Sequence, residues 1–151
     1  MSRYQSRRDK LRRSLSKTGA HAILVTNEHN VKYLTGFTGD SSYLLLSKDT
    51  ELVLSDKRYT TQLAEECADL NVEVRGPESK MPEHIAAAVK SAGFASVAIE
   101  AATMTVGEHA DLVGKVGAEL VPSKGLVEKL RMIKDKEEVV QIRAAVECAQ
   151  R

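Results

Sequence analysis

The chain has 151 residues, 42% of them hydrophobic, a usual length for one domain and enough to bury roughly two-thirds of the surface an unfolded chain exposes. Lys and Arg number 22 against 21 Asp and Glu, so a net charge of +1 supplies no global field, and neither nucleic acid nor a membrane is expected as a partner. No apolar run of about 18 residues occurs and the opening lacks the apolar segment of a signal peptide, which predicts a cytoplasmic protein.

In chain order, residues 5–18 read as a basic amphipathic helix lying on a sheet, with Leu11 and Leu15 on one face and Gly19 as its stop. The first 13 positions carry six basic residues and one acid, a pattern expected of a solvated helical face. AILVT at 22–26 reads as a strand covered on both faces, and NEHN at 27–30 as the cap of a single helical turn holding Val31, Tyr33 and Leu34. Gly36 and Gly39 bracket Phe37 in an aromatic-glycine turn. YLLLS at 43–47 and ELVLS at 51–55, three residues apart, predict an antiparallel hairpin and hence a mixed sheet.

From Asp56 the period becomes helical, with Tyr59, Leu63 and Cys67 at successive i+4 positions behind a cap by Ser55 or Asp56. A strand at 71–75, a helix opening at Pro82 and closing at Gly93, and a strand at 96–100 follow. Thr105 and Glu108 have capping-box spacing for a further helix, and the strand at 118–121 is expected to be limited by Pro122. GLVEKLRMI then reads as a short helix or turn. The final amphipathic helix, from Asp135 through Val139, Ile142 and Val146 to Arg151, has no stop signal and looks interrupted. The alternation predicts an α/β sandwich around a mixed sheet.

Sites of chemistry are sparse. The four histidines form no metal-ligand spacing, and Cys67 and Cys148 are expected to be small buried apolar side chains in a reducing compartment. TGFTGDSS lacks both phosphate-loop patterns and runs into a strand, which removes the helix amino terminus that would favour an anion. SDKRY places Asp56, Arg58 and Tyr59 at a strand-to-helix junction: either Asp56 accepts from exposed N–H groups while Arg58 bridges a carboxylate or a main-chain carbonyl bidentately, or Arg58 and its neighbours contact a partner surface or a substrate carboxylate. Tyr33 and Phe37 divide similarly between core closure and the aromatic rim of a cleft. Glu28, Asp40, Glu65 and Glu66 define no catalytic pair, and no catalytic, cofactor-binding or metal-binding residue is assigned.

RRDKLRRSLSKTGAHAILVTNEHNVKYLTGFTG at 7–39, YLLLSKDTELVLSDKRYTTQLAEE at 43–66 and LRMIKDKEEVVQIRAA at 130–145 occur in order. Together they resemble the amino-terminal domain of the creatinase, prolidase and aminopeptidase P family, across essentially the whole chain. The resemblance implies a roughly six-stranded mixed sheet flanked by helices, ribonuclease H-like, over residues 1–133. It implies that 134–151 are a linker and the start of the first helix of a separate pita-bread catalytic domain. In peptidase members that domain holds two divalent metal ions (Mn, Co or Zn) on Asp, Asp, His, Glu and Glu, and no residue here corresponds to those ligands. What is implied for this chain is a noncatalytic domain of an Xaa-Pro aminopeptidase or dipeptidase that helps form a homodimer and closes the active-site entrance. Its partners would be its own catalytic domain and, through it, proline-containing peptides. Tyr33, Phe37, Asp56, Arg58 and Tyr59 are the entrance or interface positions. Lys57, where many family members have glycine, puts an identical local turn in doubt. A creatinase-like amidinohydrolase parent and a free-standing interaction module are the alternatives.

Overall fold

In the computed structural model, which describes residues 2–150, a six-stranded sheet runs in the order β4-β3-β2-β1-β5-β6. The strands are β1 (Ala22–Val25), β2 (Tyr43–Ser47), β3 (Glu51–Ser55), β4 (Asn71–Val74), β5 (Ser96–Glu100) and β6 (Glu119–Ser123). β2 pairs antiparallel with both β1 and β3, whereas the remaining pairs are parallel, so the sheet is mixed as the short 48–50 turn requires. That turn is held by the Ser47 hydroxyl, which accepts from the amides of Asp49 and Thr50 at 3.2 and 2.9 Å.

β1 is central and all four of its residues are buried, which is why it reads as a continuous apolar run rather than an alternation. Ile23, Val25, Leu44, Leu46, Val53 and Ala98 face one layer of helices, while Ala22, Leu24, Leu45, Leu54 and Val97 face the other. The first layer contains α1 (Arg3–Leu15), α2 (Glu28–Thr35), α3 (Thr60–Glu66) and α6 (Leu126–Met132). The second contains α4 (Met81–Ser91) and α5 (Val106–Val113). Each fully covered Leu or Phe contributes about 1.5–3 kcal/mol through removal of apolar surface from water.

Several elements differ from their sequence expectation. α2 is an eight-residue helix rather than one turn, because Asn27 caps it and Gly36, at φ 86°, ends it in the left-handed region. β6 continues through Pro122. Glu119 N and Ser123 O bond inward to Ala95 and Ala101, so Pro122 directs its missing N–H to the free edge, where no donor is needed. Asp56 caps a 3-10 turn, Lys57–Tyr59, before α3 begins. The last helix, α7 (Lys136–Ala149), buries no residue, and Cys148 on it is exposed rather than buried. The expected reach of that helix to Arg151 lies outside the described residues.

The largest correction concerns α1. Arg8 is only 1% exposed, donating to Leu34 O at 3.1 Å and Asp69 at 2.7 Å, and Arg12 donates to Ser47 O at 2.8 Å and Glu51 at 2.5 Å. Arg8 and Arg12 therefore tie α1 internally to α2 and the hairpin, while Lys10 and Arg13 stay exposed on the solvated side. A planar guanidinium can be buried when carbonyls and carboxylates match its fork, and both are supplied here by strand and helix ends.

At the carboxyl end of β5, buried Glu100 accepts from the amides of Thr26 and Asn27 at 2.7 and 2.8 Å and from Asn30 Nδ2 at 2.6 Å. Asn30 Nδ2 also donates to Glu128 at 2.6 Å, and its Oδ1 accepts from Arg131 at 2.9 Å, which fixes the orientation of the amide. Burial holds the Glu100 carboxyl above its ordinary range, against the bonds from Asn27, Asn30 and Thr26 that favour the charged form.

Glu100→Ala leaves the part-buried Thr26 and Asn27 amides and buried Asn30 Nδ2 without this acceptor and is expected to lower the unfolding free energy by about 2–3 kcal/mol, measured by urea denaturation. Because its folded pKa is raised, the penalty of the buried charge is full at neutral pH and is relieved as pH falls through the folded-state value. Stability of the wild type relative to Glu100→Gln is therefore expected to rise as pH is lowered from neutral towards the ordinary glutamate range. A difference that stays flat with pH contradicts this.

Candidate functional site

The β3–α3 junction assembles four of the five sequence-predicted positions. Asp56, buried at the end of β3, accepts from Arg58 N at 3.0 Å as a cap. Arg58 closes on the same carboxylate through Nε at 3.0 Å and Nη2 at 2.7 Å, a bidentate pair within one turn of chain. Hydrogen bonding from Arg58 holds Asp56 below the usual carboxylate range. Arg75 Nη2 lies 3.7 Å from the outer oxygen. The Arg58 side chain is nevertheless 64% exposed, so one side of its guanidinium faces solvent.

Tyr59 connects this pair to the aromatic-glycine loop. Its hydroxyl donates to Asp40 at 2.5 Å, and its ring meets Phe37 edge-on, with centroids 5.4 Å apart and planes at 89°. Phe37 is 1% exposed and belongs to the core, the structural one of its two sequence readings. Gly39 lies against both rings: a Cβ there would sit 2.5 Å from Phe37 Cζ and 2.8 Å from Tyr59 Cε1. The bond from Tyr59 holds Asp40 below its ordinary range and raises the phenol of Tyr59.

Two residues that sequence reasoning did not assign to the site hold the other side of the loop. Glu66 accepts from Thr38 N and Thr38 Oγ1, both at 2.7 Å, and Gln62 Nε2 donates to Thr38 Oγ1 at 2.8 Å. Their i,i+4 spacing places both on the same side of α3, which is the only signal the sequence carried. Buried Ser42 and Ser55 share a hydroxyl contact of 2.6 Å below.

Tyr33 belongs to a different place. Its ring stacks under the Arg7 guanidinium, 4.0 Å from the centroid, and its hydroxyl donates to Leu130 O at 3.2 Å. The predicted set thus splits into a loop edge (exposed Arg58 and part-exposed Tyr59, with buried Asp56 and Phe37 beneath) and a joint between α1, α2 and α6 around Tyr33. Arg7, Asn30, Glu100 and Arg131 form or border that joint and were not singled out from sequence. Buried polar networks leave no periodicity to read.

Among the described residues, no three His, Cys, Asp or Glu side chains gather as a group able to hold a metal ion. No helix among the described residues is long and apolar enough to cross a membrane.

Residues 7–133 match the Creatinase/Prolidase N-terminal domain family. The chain belongs to this family. It is 33% identical over 142 residues to the uncharacterized peptidase YqhT of Bacillus subtilis, covering 93% of this chain and 40% of that protein. It superposes on an Xaa-Pro dipeptidase from Bacillus anthracis with a TM-score of 0.85 at 29% identity, over 90% of this chain and 38% of the other. The N-terminal domain of the cytoplasmic peptidase PepQ from Mycobacterium tuberculosis gives 0.76 at 32% identity, over 83% and 98% of the two chains. The chain therefore spans about two-fifths of the length of the two longer proteins. As a creatinase/prolidase amino-terminal domain of the Xaa-Pro peptidase family, these 151 residues do not include the pita-bread catalytic domain.

Gly39→Ala is expected to push Phe37 and Tyr59 apart and to destabilise the domain by about 1–3 kcal/mol through overpacking, read by thermal denaturation. An unchanged melting temperature contradicts the tight packing.

Proposed function

We propose that this chain is the noncatalytic accessory domain of an Xaa-Pro aminopeptidase or dipeptidase, with residues 1–133 as the domain and 134–151 as the linker and first helix of a catalytic domain. The observation that carries this reading is the superposition, at a TM-score of 0.85, on the part of an Xaa-Pro dipeptidase that makes up 38% of that enzyme. The catalytic domain, two divalent metal ions within it and proline-containing peptides are the partners on this reading, with a homodimer as the assembly. Metal-assisted attack of water on the Xaa-Pro bond is the chemistry of that other domain. The two unpaired cysteines accord with a reducing, cytoplasmic setting.

The contribution of this domain is a rim. Arg58 and Tyr59 stand at the surface, with the Arg58 amide held by Asp56, the Tyr59 hydroxyl by Asp40 and the facing loop at Thr38 by Glu66, and Phe37 supports them from the core. A pre-ordered edge of this kind restricts what enters a neighbouring cleft and excludes water from it. Tyr33 serves the joint rather than the rim.

The 151 residues alone are expected to show no hydrolysis of Xaa-Pro dipeptides with added Mn²⁺, whereas the same polypeptide continued through a pita-bread domain hydrolyses them. In that longer polypeptide, Arg58→Ala is expected to raise KM about threefold or more with kcat within about twofold, since the rim contacts substrate and not the reacting atoms. Metal-dependent turnover by the 151 residues overturns the accessory reading.

A further inference from the structure

The exposed large apolar side chains of the described residues are concentrated at one end of the chain. Met132, Ile133, Val139, Val140, Ile142 and Val146 all stand in solvent, and α7 buries none of its residues. A helix of this length, about 21 Å, gains little from propensity alone and needs an anchor. Its polar anchor lies in its first turn.

Asp135 and Glu138 cap α7 reciprocally: Asp135 Oδ1 accepts from Glu138 N at 2.9 Å and Glu138 Oε2 from Asp135 N at 3.0 Å. Arg7 of α1, 5% exposed, grips both carboxylates, with Nη2 at 2.5 Å from Asp135 and 3.1 Å from Glu138. Its Nη1 donates to Tyr33 O at 2.9 Å, and its plane lies over the Tyr33 ring. Arg3 adds a bond of 2.7 Å to Glu137. All three acids of the first turn are thereby engaged by α1. A guanidinium stacked on a ring and bonded to a carbonyl and two carboxylates cannot pivot without losing several contacts together, so it defines a direction as well as an attachment.

We propose that Arg7, backed by Arg3, is an orientation lock: it sets the angle at which α7 leaves the domain and so seats the Val139, Ile142 and Val146 stripe against the remainder of the same polypeptide. Arg7 is then a positioning residue for the proposed peptidase. The lock stands on geometry alone; only the occupant of the stripe rests on the accessory-domain reading. Two observations favour that occupant over a second copy. The family match ends at residue 133, just before α7, while the similarity to the longer Bacillus subtilis peptidase extends over 142 residues and so beyond that domain. Met132 and Ile133, at the exit from α6 immediately before this helix, are exposed as well, as expected of one cover over the exit.

Amide hydrogen exchange on the 151-residue chain tests the lock without reference to activity. Arg7→Met, and independently Asp135→Asn, which retains a good cap but removes the charge, are expected to speed exchange of residues 136–140 about tenfold while β1 and β5 keep their protection. Unchanged exchange in the Asp135→Asn variant overturns the lock, and this second variant keeps the test valid if Arg7→Met fails to fold. Ile142→Glu tests the occupant. It is expected to leave the 151 residues unaltered in melting temperature and sedimentation, and to lower the melting temperature of a polypeptide continued through the catalytic half. No effect in the longer polypeptide overturns the seating, as does dissociation of a 151-residue dimer by Ile142→Glu, which assigns the stripe to a second copy. A longer polypeptide without Xaa-Pro hydrolysis, but with the exchange effect intact, removes the peptidase reading and leaves the lock standing.

Discussion

A buried carboxylate organises the carboxyl end of the central strands. Glu100 ends β5, satisfies the first amides beyond β1 and holds Asn30, through which α2 and α6 are joined. An uncompensated charge there would be strongly unfavourable, so the loop after β1 must present its N–H groups and α2 must begin where it does. Placement of α2 then determines where Tyr33 and the Leu34 carbonyl stand, and those are the groups that receive Arg7 and Arg8. The joint near the last helix and the packing of the first helix follow from one acceptor at a strand end.

The loop edge is built by a different logic. It has little burial of its own and relies on short-range pairs: Arg58 with Asp56, Tyr59 with Asp40, Glu66 with Thr38. Such contacts order side chains at the surface while contributing modestly to global stability, because exposed ion pairs are screened and are offset by side-chain entropy. An edge of this kind can change its outward chemistry without disturbing the sheet beneath it.

Sequence patterns foresaw the sheet well and the polar interior poorly, and the difference is physical. Strand and helix periods report burial of apolar residues, so β1, the β2–β3 hairpin and α4 were legible, as was the capping box at Thr105 and Glu108. The cap at Asp56 was legible too, since the amide it accepts from lies two residues on. Arg7, Arg8, Asn30 and Glu100 were not, because their partners are 26 to 128 positions away and each side chain by itself reads as solvated. Resemblance to a family located the domain as a whole but carried no information on which arginines lie inside it. Phe37 shows the intermediate case: the turn was visible, and its burial was decided by Tyr59 and Gly39 closing over it.

Pro122 has an effect beyond the length of β6. With its ring nitrogen turned to the outer side, the exposed margin of that strand lacks a donor in its middle, and a foreign strand laid along it would meet a gap in the ladder. The opposite margin, β4, is short and carries the exposed carboxylate of Glu73. Both ends of the sheet are thus poor templates for strand addition, one through a missing hydrogen and the other through charge. With both margins closed to strand addition, the exposed apolar side chains of α7 are left as the more open surface for contact.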